Sequence, residues 1–240
     1  MDLVNLIYSI KDEANTQIRN TEFLKFIGYC LENAHHSQAQ NYQDIWVLWQ
    51  KGEQKRDGFF VEFGATDGLT SSNTYLLEKE FGWKGIVAEP NPFWHENLKK
   101  NRGCHISEKC VFDVSNEQID FLMTEAADLS TIKGFGKDEF VEERKKSQVT
   151  KVTTVSLIDL LNEHNAPEKI DYLSIDTEGS EYGILNAFFT KNTKYQVENV
   201  TVEHNFTMRD KLYDLMTSNG YVRKFAELSR WDDFYTRAST

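Results

Sequence analysis

The chain of 240 residues carries 27 Lys and Arg against 38 Asp and Glu, which gives a formal net charge of −11. Since nucleic-acid binding relies on clustered Lys and Arg, this acidity argues against a general nucleic-acid-binding protein. With 40% hydrophobic and 13% aromatic residues, the chain has enough material for one large α/β domain, alone or with a helical extension.

Membrane and secretion signals are not apparent in the sequence. No apolar run approaches the roughly 20 residues that a membrane-spanning helix needs, and no basic stretch precedes an apolar segment near Met1. Cys30, Cys104 and Cys110 are odd in number and form no Cys-x-x-Cys pair, which is typical of free thiols in a reducing compartment. We therefore expect a soluble, cytoplasmic protein that binds neither membranes nor nucleic acid.

Residues 1–50 are predicted to be helical, with a polar loop at 33–43, because apolar residues recur at helical spacing. The recurring residues are Ile18, Phe23, Phe26, Ile27 and Cys30, followed by Ile45, Leu48 and Trp49. These residues form an N-terminal extension to a domain that spans 51–240. The sequence leaves open whether the extension covers the sheet, the substrate entrance or a second copy of the chain in a homo-oligomer.

The most informative segment runs from Phe59 to Gly68, with the sequence FFVEFGATDG. An apolar strand ends in a turn with two glycines, and residues 69–80 are predicted as a helix opened by Ser71, Ser72 and Asn73. Such a turn lets the backbone approach a ligand, and the helix start presents free N–H groups to it. The spacing Gly-x-x-x-Gly fits neither the dinucleotide motif nor the phosphate loop. The turn therefore either binds an adenosyl- or nucleotide-type cofactor or simply connects strand to helix.

Strands and helices then alternate to residue 235. Further strands are predicted at 85–89, 105–112, 118–123, 149–155, 170–175 and 198–203, with a closing hairpin at 221–226 and 231–235. Further helices are predicted around Trp94 with Asn91 as cap, at 156–161 with Ser156 as cap, at 181–189 and at 211–218. This order implies a parallel sheet covered on both faces, to which the hairpin adds an antiparallel edge. The polar stretch 125–147 is either a substrate lid or a surface excursion.

Polar residues follow several strands, at the edge where open α/β sheets bind ligands. Glu89 ends the second strand, where an acid binds ribose hydroxyls in dinucleotide folds; the alternative is a capping or solvated carboxylate. The strand 170–175 continues into Asp176-Thr177-Glu178-Gly179-Ser180-Glu181, whose acids form a site or cap the next helix. The strand 198–203 ends in Glu203-His204-Asn205, and this His is a candidate base, substrate contact or metal ligand.

Three of these segments resemble the signatures of the FkbM family of S-adenosylmethionine-dependent methyltransferases. They are residues 59–68, 170–181 and 202–205, and the resemblance covers roughly residues 40–236. It implies a Rossmann-like class I methyltransferase fold of the α/β class, with a seven-stranded sheet of six parallel strands and one antiparallel strand. It also implies methyl transfer from S-adenosylmethionine to a hydroxyl of a carbohydrate or of a glycosylated or secondary metabolite.

The resemblance implies a set of cofactor-binding residues. They are Glu62, Gly64, Ala65, Thr66, Asp67, Gly68, Glu89, Pro90, Asp113 and Asp176. The glycine turn would pass against the methionine part, Glu62 or Asp67 would hold its amino group, and Glu89 would take the ribose hydroxyls. Asp113 is the acid nearest to the usual adenine position, where the two apolar residues before it are the alternative.

In the acceptor half, the resemblance implies catalytic roles for Asp176, Glu203 and His204. A sulfonium methyl group is already electrophilic, so catalysis has to align the acceptor hydroxyl and remove its proton. Either His204 is the base, oriented by Glu203 or Asp176, or these three residues hold a divalent cation such as Mg²⁺ that binds two sugar hydroxyls. Related sugar methyltransferases carry paired acids where this chain has Glu-His-Asn. Glu178, His204 and Asn205 are assigned to the small-molecule or saccharide substrate.

Two other classes of function stay open on the sequence alone, an NAD-dependent oxidoreductase and a non-catalytic binding protein that keeps the fold. The missing Gly-x-Gly-x-x-Gly motif counts against the first class. The polar residues clustered at the strand ends count against the second, because a scaffold has no need of them.

Overall fold

The computed structural model describes residues 21–52, 56–136, 141–204 and 208–238. Its helices are α1 (Thr21–Asn33), α2 (Gln43–Lys51), α3 (Tyr75–Lys79), α4 (His95–Asn101), α5 (Val141–Arg144), α6 (Leu157–Glu163), α7 (Glu181–Lys191) and α8 (Arg209–Ser218), with a 3₁₀ turn at Ala127–Leu129. Its strands are β1 (Phe59–Phe63), β2 (Lys84–Ala88), β3 (His105–Ser107), β4 (Cys110–Phe112), β5 (Gln118–Met123), β6 (Thr131–Ile132), β7 (Gln148–Ser156), β8 (Lys169–Ile175), β9 (Gln196–Glu203), β10 (Tyr221–Lys224) and β11 (Asp232–Arg237).

Seven strands form the main sheet in the order β10-β11-β9-β8-β1-β2-β3. The five strands from β9 to β3 are parallel, while β11 is antiparallel to both of its neighbours. The strand β10 therefore runs in the direction of the other five. The predicted sheet of six parallel strands and one antiparallel strand is confirmed, but the prediction that the antiparallel strand forms the edge is wrong. The strand β11 lies between β9 and β10. Its residues 232–236 pair with β9, and its residues 234–237 pair with β10.

The order of the strands reverses at β1. The chain moves outward from β1 through β2 to β3, and it later returns on the other side of β1 as β8 and β9. Ligands in open α/β sheets bind at the carboxyl ends of strands that flank such a switch point. The ends of β1 and β8, at Phe63 and Ile175, are register partners and mark this place.

A second sheet, in the order β4-β7-β5-β6, stands beside the main one. The single strand predicted at 105–112 is wrong, because the chain turns after Ser107 and β4 pairs with β7 instead of β2. Lys109 N–H donates to Ser107 Oγ at 3.3 Å within this turn. The second sheet has a small apolar core, which consists of Cys110, Phe121, Ile132 and Val152.

Apolar residues cover both faces of the main sheet, as a parallel sheet requires. On one face Val61 and Leu173 pack with α6, α7 and α8. On the other face Phe60 and Tyr172 pack with α1 and α2, where Trp46 is fully buried. The described part of the N-terminal extension therefore shares a core with the sheet, and the boundary at residue 50 stays a prediction. Residues 1–20 lie outside the described residues.

The helix predicted at 69–80 is shorter than expected, since it begins only at Tyr75. The Asp67 carboxylate accepts hydrogen bonds from the backbone of Leu69 and Thr70, at 2.9 and 2.7 Å. Side chains that bind nearby backbone groups in this way compete with helix formation. Similarly, Asn91 binds the N–H of Phe93 and so caps the turn before α4. The prediction of Ser156 as the cap of α6 is confirmed.

None of the helices in the described ranges has the length and apolar character needed to cross a membrane. Cys30, Cys104 and Cys110 are free thiols, as predicted.

Candidate active site

A cleft of about 1110 Å³ opens at the carboxyl ends of β1, β2, β8 and β9. Pockets for single small ligands measure about 300–1,000 Å³, so this cleft has room for a cofactor and an acceptor together. Its apolar wall includes Ala65, Pro90, Val111, Leu129 and Ile132. Its polar wall includes Gln40, Gln43, Asn73, Asp176, Glu178, Glu203, His204, Arg230 and Trp231.

Residues 64–67 of the glycine turn also line the cleft. Gly64 and Gly68 have positive φ angles of 72° and 75°, which favour glycine. A Cβ atom on Gly64 would overlap the carbonyl oxygen of Asp176, so the end of β1 directly contacts the end of β8. Only a residue without a side chain fits this contact, and the turn therefore keeps the backbone open toward the cleft.

Replacing Gly64 with Ala is expected to destabilise the protein by about 2 kcal/mol or more, from the positive φ angle and the overlap with β8. Denaturant unfolding followed by circular dichroism measures this change. Gly28→Ala is the matched control, because Gly28 lies inside α1 and a Cβ atom there would have no neighbour within 4 Å. It should stabilise the protein by about 0.5–1 kcal/mol. Equal effects of the two substitutions would contradict the close contact at Gly64.

Glu62 lies under the turn as the centre of a buried network. Its carboxylate accepts hydrogen bonds from Ser72 Oγ at 3.0 Å, the backbone of Asn73 at 2.7 Å and Thr74 Oγ1 at 2.5 Å. Arg102 Nη1 lies 3.2 Å from the same carboxylate. These partners occupy both oxygens of Glu62, while the oxygens of Asp67 bind the backbone and hydroxyl of the following turn. A contact of either acid with the cofactor's amino group stays a prediction.

Glu89 stands at the end of β2 on the cleft wall. It is 5% exposed, and its two carboxylate oxygens accept backbone hydrogen bonds from Thr66 at 2.9 Å and Asn91 at 2.8 Å. Burial raises the pKa of Glu89 to about 7, although these two hydrogen bonds act in the opposite direction. The structure thus places this acid at the predicted position, held rigidly by the backbone on both sides.

The residues that were predicted to contact adenine do not all lie on the cleft. Val111 lines the cleft, whereas Asp113 lies outside the lining, and its backbone carbonyl accepts a hydrogen bond from Lys191 Nζ at 3.4 Å. Leu129 and Ile132 also line the cleft, and sequence reasoning missed both. Ile132 belongs to β6, which pairs with β5 in the second sheet, and Leu129 ends the 3₁₀ turn just before β6.

Three acids converge beyond β8 and β9. One carboxylate oxygen each of Asp176, Glu178 and Glu203 lies within 4.8 Å of the others. The carboxyl groups of Asp176 and Glu203 are therefore close neighbours. Burial, followed by the charges of Glu203, Asp232 and Glu178, raises the pKa of Asp176 well above its usual range. Such a pair of adjacent carboxyl groups holds a proton between them and titrates as a unit.

Glu178 also connects the cleft to the excursion at 125–147. Arg144 Nη2 lies 3.0 Å from Glu178 Oε2, and Thr131 Oγ1 donates to the backbone carbonyl of Glu178 at 2.9 Å. Backbone atoms of Gly136 approach the position of a Cβ on Gly179 at 2.9 Å. The excursion therefore lies against the loop after β8, and its role as a lid stays a prediction.

His204 is 2% exposed and lies on the cleft wall, but its contacts differ from the predicted ones. Its Nε2 atom lies 3.1 Å from Ser229 Oγ and 3.9 Å from Asp233 Oδ1. The structure thus groups Asp176 and Glu203 with Glu178. It places His204 next to Ser229 and Asp233 instead. The catalytic role of His204 stays a prediction, and Asn205 lies outside the described residues.

The three grouped acids offer oxygen ligands of the kind that Mg²⁺ and Ca²⁺ take. The predicted ligand set of Asp176, Glu203 and His204 is not the set that the structure brings together, since Glu178 stands in the place of His204. A cluster of acids alone does not define a metal site. The cation stays a prediction.

The N-terminal extension contributes to the polar wall, while the sequence left open whether it covers the sheet, the substrate entrance or a second copy of the chain. Gln43 at the start of α2 donates from Nε2 to Asp232 Oδ2 at 3.0 Å, and Asn41 Nδ2 donates to the same oxygen at 2.7 Å. These bonds hold Gln40 and Gln43 at the cleft. No sequence pattern indicates the partnership, because Gln43 and Asp232 are 189 residues apart.

The strand order, the glycine turn after β1, the acid after β2 and the acids after β8 together define a class I methyltransferase. Residues 62–223 match the methyltransferase FkbM domain. The chain belongs to this family, and the family is one of S-adenosylmethionine-dependent enzymes.

Several solved structures are similar to this one at low sequence identity. An FkbM methyltransferase from Methylobacillus flagellatus is 11% identical, with 90% of this chain and 60% of that chain covered and a TM-score of 0.44. A precorrin-6y C5,15-methyltransferase from Geobacter metallireducens is 13% identical, with 82% and 87% covered and a TM-score of 0.41. A TehB-like methyltransferase from Corynebacterium glutamicum is 6% identical, with 82% and 88% covered and a TM-score of 0.44. Among curated proteins, none matches this chain.

Proposed function

We propose that this protein transfers a methyl group from S-adenosylmethionine to a hydroxyl group of a carbohydrate or of a glycosylated or secondary metabolite. The observation that carries the proposal is the adjacent carboxyl groups of the partly exposed Asp176 and the buried Glu203 in the lining of the cleft. An alcohol is a weak nucleophile, and its methylation needs a group that removes the proton. A carboxylate with a raised pKa is a stronger base than an ordinary one.

The residues of the cleft fit the cofactor. S-adenosylmethionine, when bound, supplies an electrophilic methyl group on a sulfonium sulfur. Glu89 would accept hydrogen bonds from the ribose hydroxyls, and Val111 and Leu129 would cover the adenine ring with apolar surface. The ionised member of the Asp176–Glu203 pair would take the hydroxyl proton as the new C–O bond forms and the methyl–sulfur bond breaks, with S-adenosylhomocysteine as the leaving group. The pair then holds two protons, one of which must return to solvent before the next turnover.

The polar wall supports a polyhydroxylated acceptor. The amide of Gln40 offers a donor and an acceptor for hydroxyl groups, and Trp231 offers an aromatic face of the kind that packs on a sugar ring. The guanidinium carbon of Arg230 lies 4.3 Å from the centroid of the Trp231 ring and so stacks on one face of it. Acidic side chains outnumber basic ones on the described lining, which favours a neutral or cationic acceptor over an anionic one.

Calorimetry with S-adenosylhomocysteine, followed by transfer of a labelled methyl group to a panel of sugars and glycosides, tests the proposal. A folded protein that binds no adenosyl ligand would contradict it. Binding without transfer to any hydroxyl acceptor would leave the family assignment intact and overturn the O-methyl assignment. The same transfer assay with and without EDTA tests the predicted cation.

The affinity for S-adenosylhomocysteine is expected to fall as the pH drops below about 7. Hydrogen bonds from ribose hydroxyls favour the ionised form of Glu89, so the ligand lowers a pKa that stands at about 7 in its absence. The affinity then has its full value above pH 7, and below pH 7 it falls by up to about tenfold for each pH unit. Calorimetry between pH 5.5 and 8 measures this dependence.

Glu89→Gln should remove this pH dependence and weaken binding at pH 8 by about ten- to a hundredfold, the scale of a charged hydrogen bond. Glu96→Gln, at an exposed residue of α4, is the matched control and should bind as the wild type does. An unchanged pH profile in Glu89→Gln would remove Glu89 from the ribose site.

A further inference from the structure

One buried amide on the cleft wall has an oxygen atom that no described residue binds. Asn73 is 7% exposed, and its Nδ2 donates to Ser174 Oγ at 2.8 Å while its backbone N–H donates to Glu62 Oε1 at 2.7 Å. Within the described part of the chain, Asn73 Oδ1 has no hydrogen-bond donor. Buried acceptors in folded proteins nearly always have a donor, and because Asn73 belongs to the lining of the cleft, a ligand in the cleft can supply the one that its oxygen lacks.

The surroundings of Asn73 indicate which ligand group this is. Its two anchors, Glu62 and Ser174, are register partners on β1 and β8. Two residues further along the same strands are Gly64 and Asp176, where the glycine turn contacts β8. The methionine part of the cofactor is the part expected against this turn. Its protonated amino group carries three N–H donors and no acceptor, which suits a carbonyl oxygen next to buried carboxylates.

We infer that Asn73 is a cofactor-binding residue whose Oδ1 accepts a hydrogen bond from the amino group of S-adenosylmethionine, an inference that rests on the proposed function because it takes this cofactor as the ligand. Glu62 then acts as a positioning residue. Its carboxylate fixes the backbone of Asn73 and is already bonded to Ser72, Thr74 and Arg102. No sequence pattern indicates this role, since Asn73 reads there as part of a helix start.

Calorimetry with two ligands tests the role of Asn73. One ligand is S-adenosylhomocysteine, and the other is its deamino analogue, in which hydrogen replaces the amino group. The wild type should prefer the first ligand by about ten- to a hundredfold. Asn73→Ala should lose about tenfold or more in affinity for S-adenosylhomocysteine and less than about twofold for the analogue. Asn73→Asp keeps an acceptor oxygen and adds a negative charge, so it should keep the wild-type preference or increase it.

Asn199→Ala is the matched control. Asn199 is 2% exposed, donates to the carbonyl of Asp171 at 3.1 Å and likewise has an Oδ1 without a donor among the described residues, but it does not line the cleft. This variant should bind both ligands as the wild type does. If Asn73→Ala does not fold, Asn73→Asp alone tests the role of Asn73, because its preference for S-adenosylhomocysteine over the deamino analogue either persists or is lost.

Equal losses for both ligands in Asn73→Ala, or an unchanged preference, would overturn the role of Asn73 while leaving the proposed function in place. Loss of the preference in Asn73→Asp would have the same meaning. Failure of the folded wild type to bind either ligand would instead overturn the proposed function itself, and with it the role of Asn73.

Discussion

Substituting Gln for Glu203 is expected to slow methyl transfer by about 10²–10⁴-fold, the usual contribution of a general base. The substitution removes one carboxylate of the adjacent pair, and burial still raises the pKa of the remaining acid, Asp176, but the charge of Glu203 no longer does. Affinity for S-adenosylhomocysteine should change by less than about twofold, because a general base acts on the acceptor. Single-turnover transfer and calorimetry on the same preparation measure the two quantities.

Two comparisons make this expectation specific. Asp176→Asn should be about as slow as Glu203→Gln, and the double variant should be little slower than either, since residues that act as a unit are not additive. Glu198→Gln is the matched control, because Glu198 is an exposed residue of the same strand and pairs with Lys51. It should keep full activity.

His204→Ala tests whether the general base is the Asp176–Glu203 pair or His204. Full activity in Glu203→Gln together with a large loss in His204→Ala would assign the base to His204. Its contacts with Ser229 and Asp233 would then be the ones that orient the imidazole. A large loss in Glu203→Gln with most of the activity left in His204→Ala is the result that the described contacts favour.

The parts of the fold that follow from local pattern were predictable. The strand at 59–63, its glycine turn and the acid at 89 are each encoded within a few residues, by apolar runs, by glycines at positive φ and by the residue that ends a strand. The cap at Ser156 is of the same kind. Together these local signals were sufficient for the class of fold and for the position of Gly64 and Glu89 in the lining of the cleft.

The parts that depend on long-range pairing were not predictable. Nothing near Cys110 indicates that β4 leaves the main sheet for β7, because the partner lies more than forty residues later. The polar wall depends on Gln43 and Asp232, at opposite ends of the described chain. The contacts of His204 follow from the insertion of β11, which brings Asp233 beside it. Such juxtapositions arise from the packed fold and leave no periodic signal in the sequence.

Arg102 is the clearest residue of this second kind. It lies directly after α4, and no sequence pattern marks it, yet its side chain is fully buried against Gly68 of the glycine turn. Its guanidinium lies 3.2 Å from Glu62 and 2.6 Å from Glu78, and it also donates to Thr74 Oγ1 at 2.8 Å. Burial alone would raise the pKa of Glu78, but the charge and hydrogen bond of Arg102 hold it at about 2.

Arg102→Met is expected to destabilise the protein by about 3–5 kcal/mol, because it leaves the buried Glu62 carboxylate without its counter-charge and removes the buried partner of Glu78. Urea unfolding at pH 7 measures this loss. The stabilising effect of the lowered pKa of Glu78 is present above pH 4 to 5 and disappears as the pH falls toward 2, so the difference between wild type and variant should shrink over that window. Lys79→Met is the control, since the partly exposed Lys79 also pairs with Glu78 and should cost at most about 1 kcal/mol. A loss in Arg102→Met no larger than the control would show that the carboxylates of Glu62 and Glu78 are satisfied without the guanidinium.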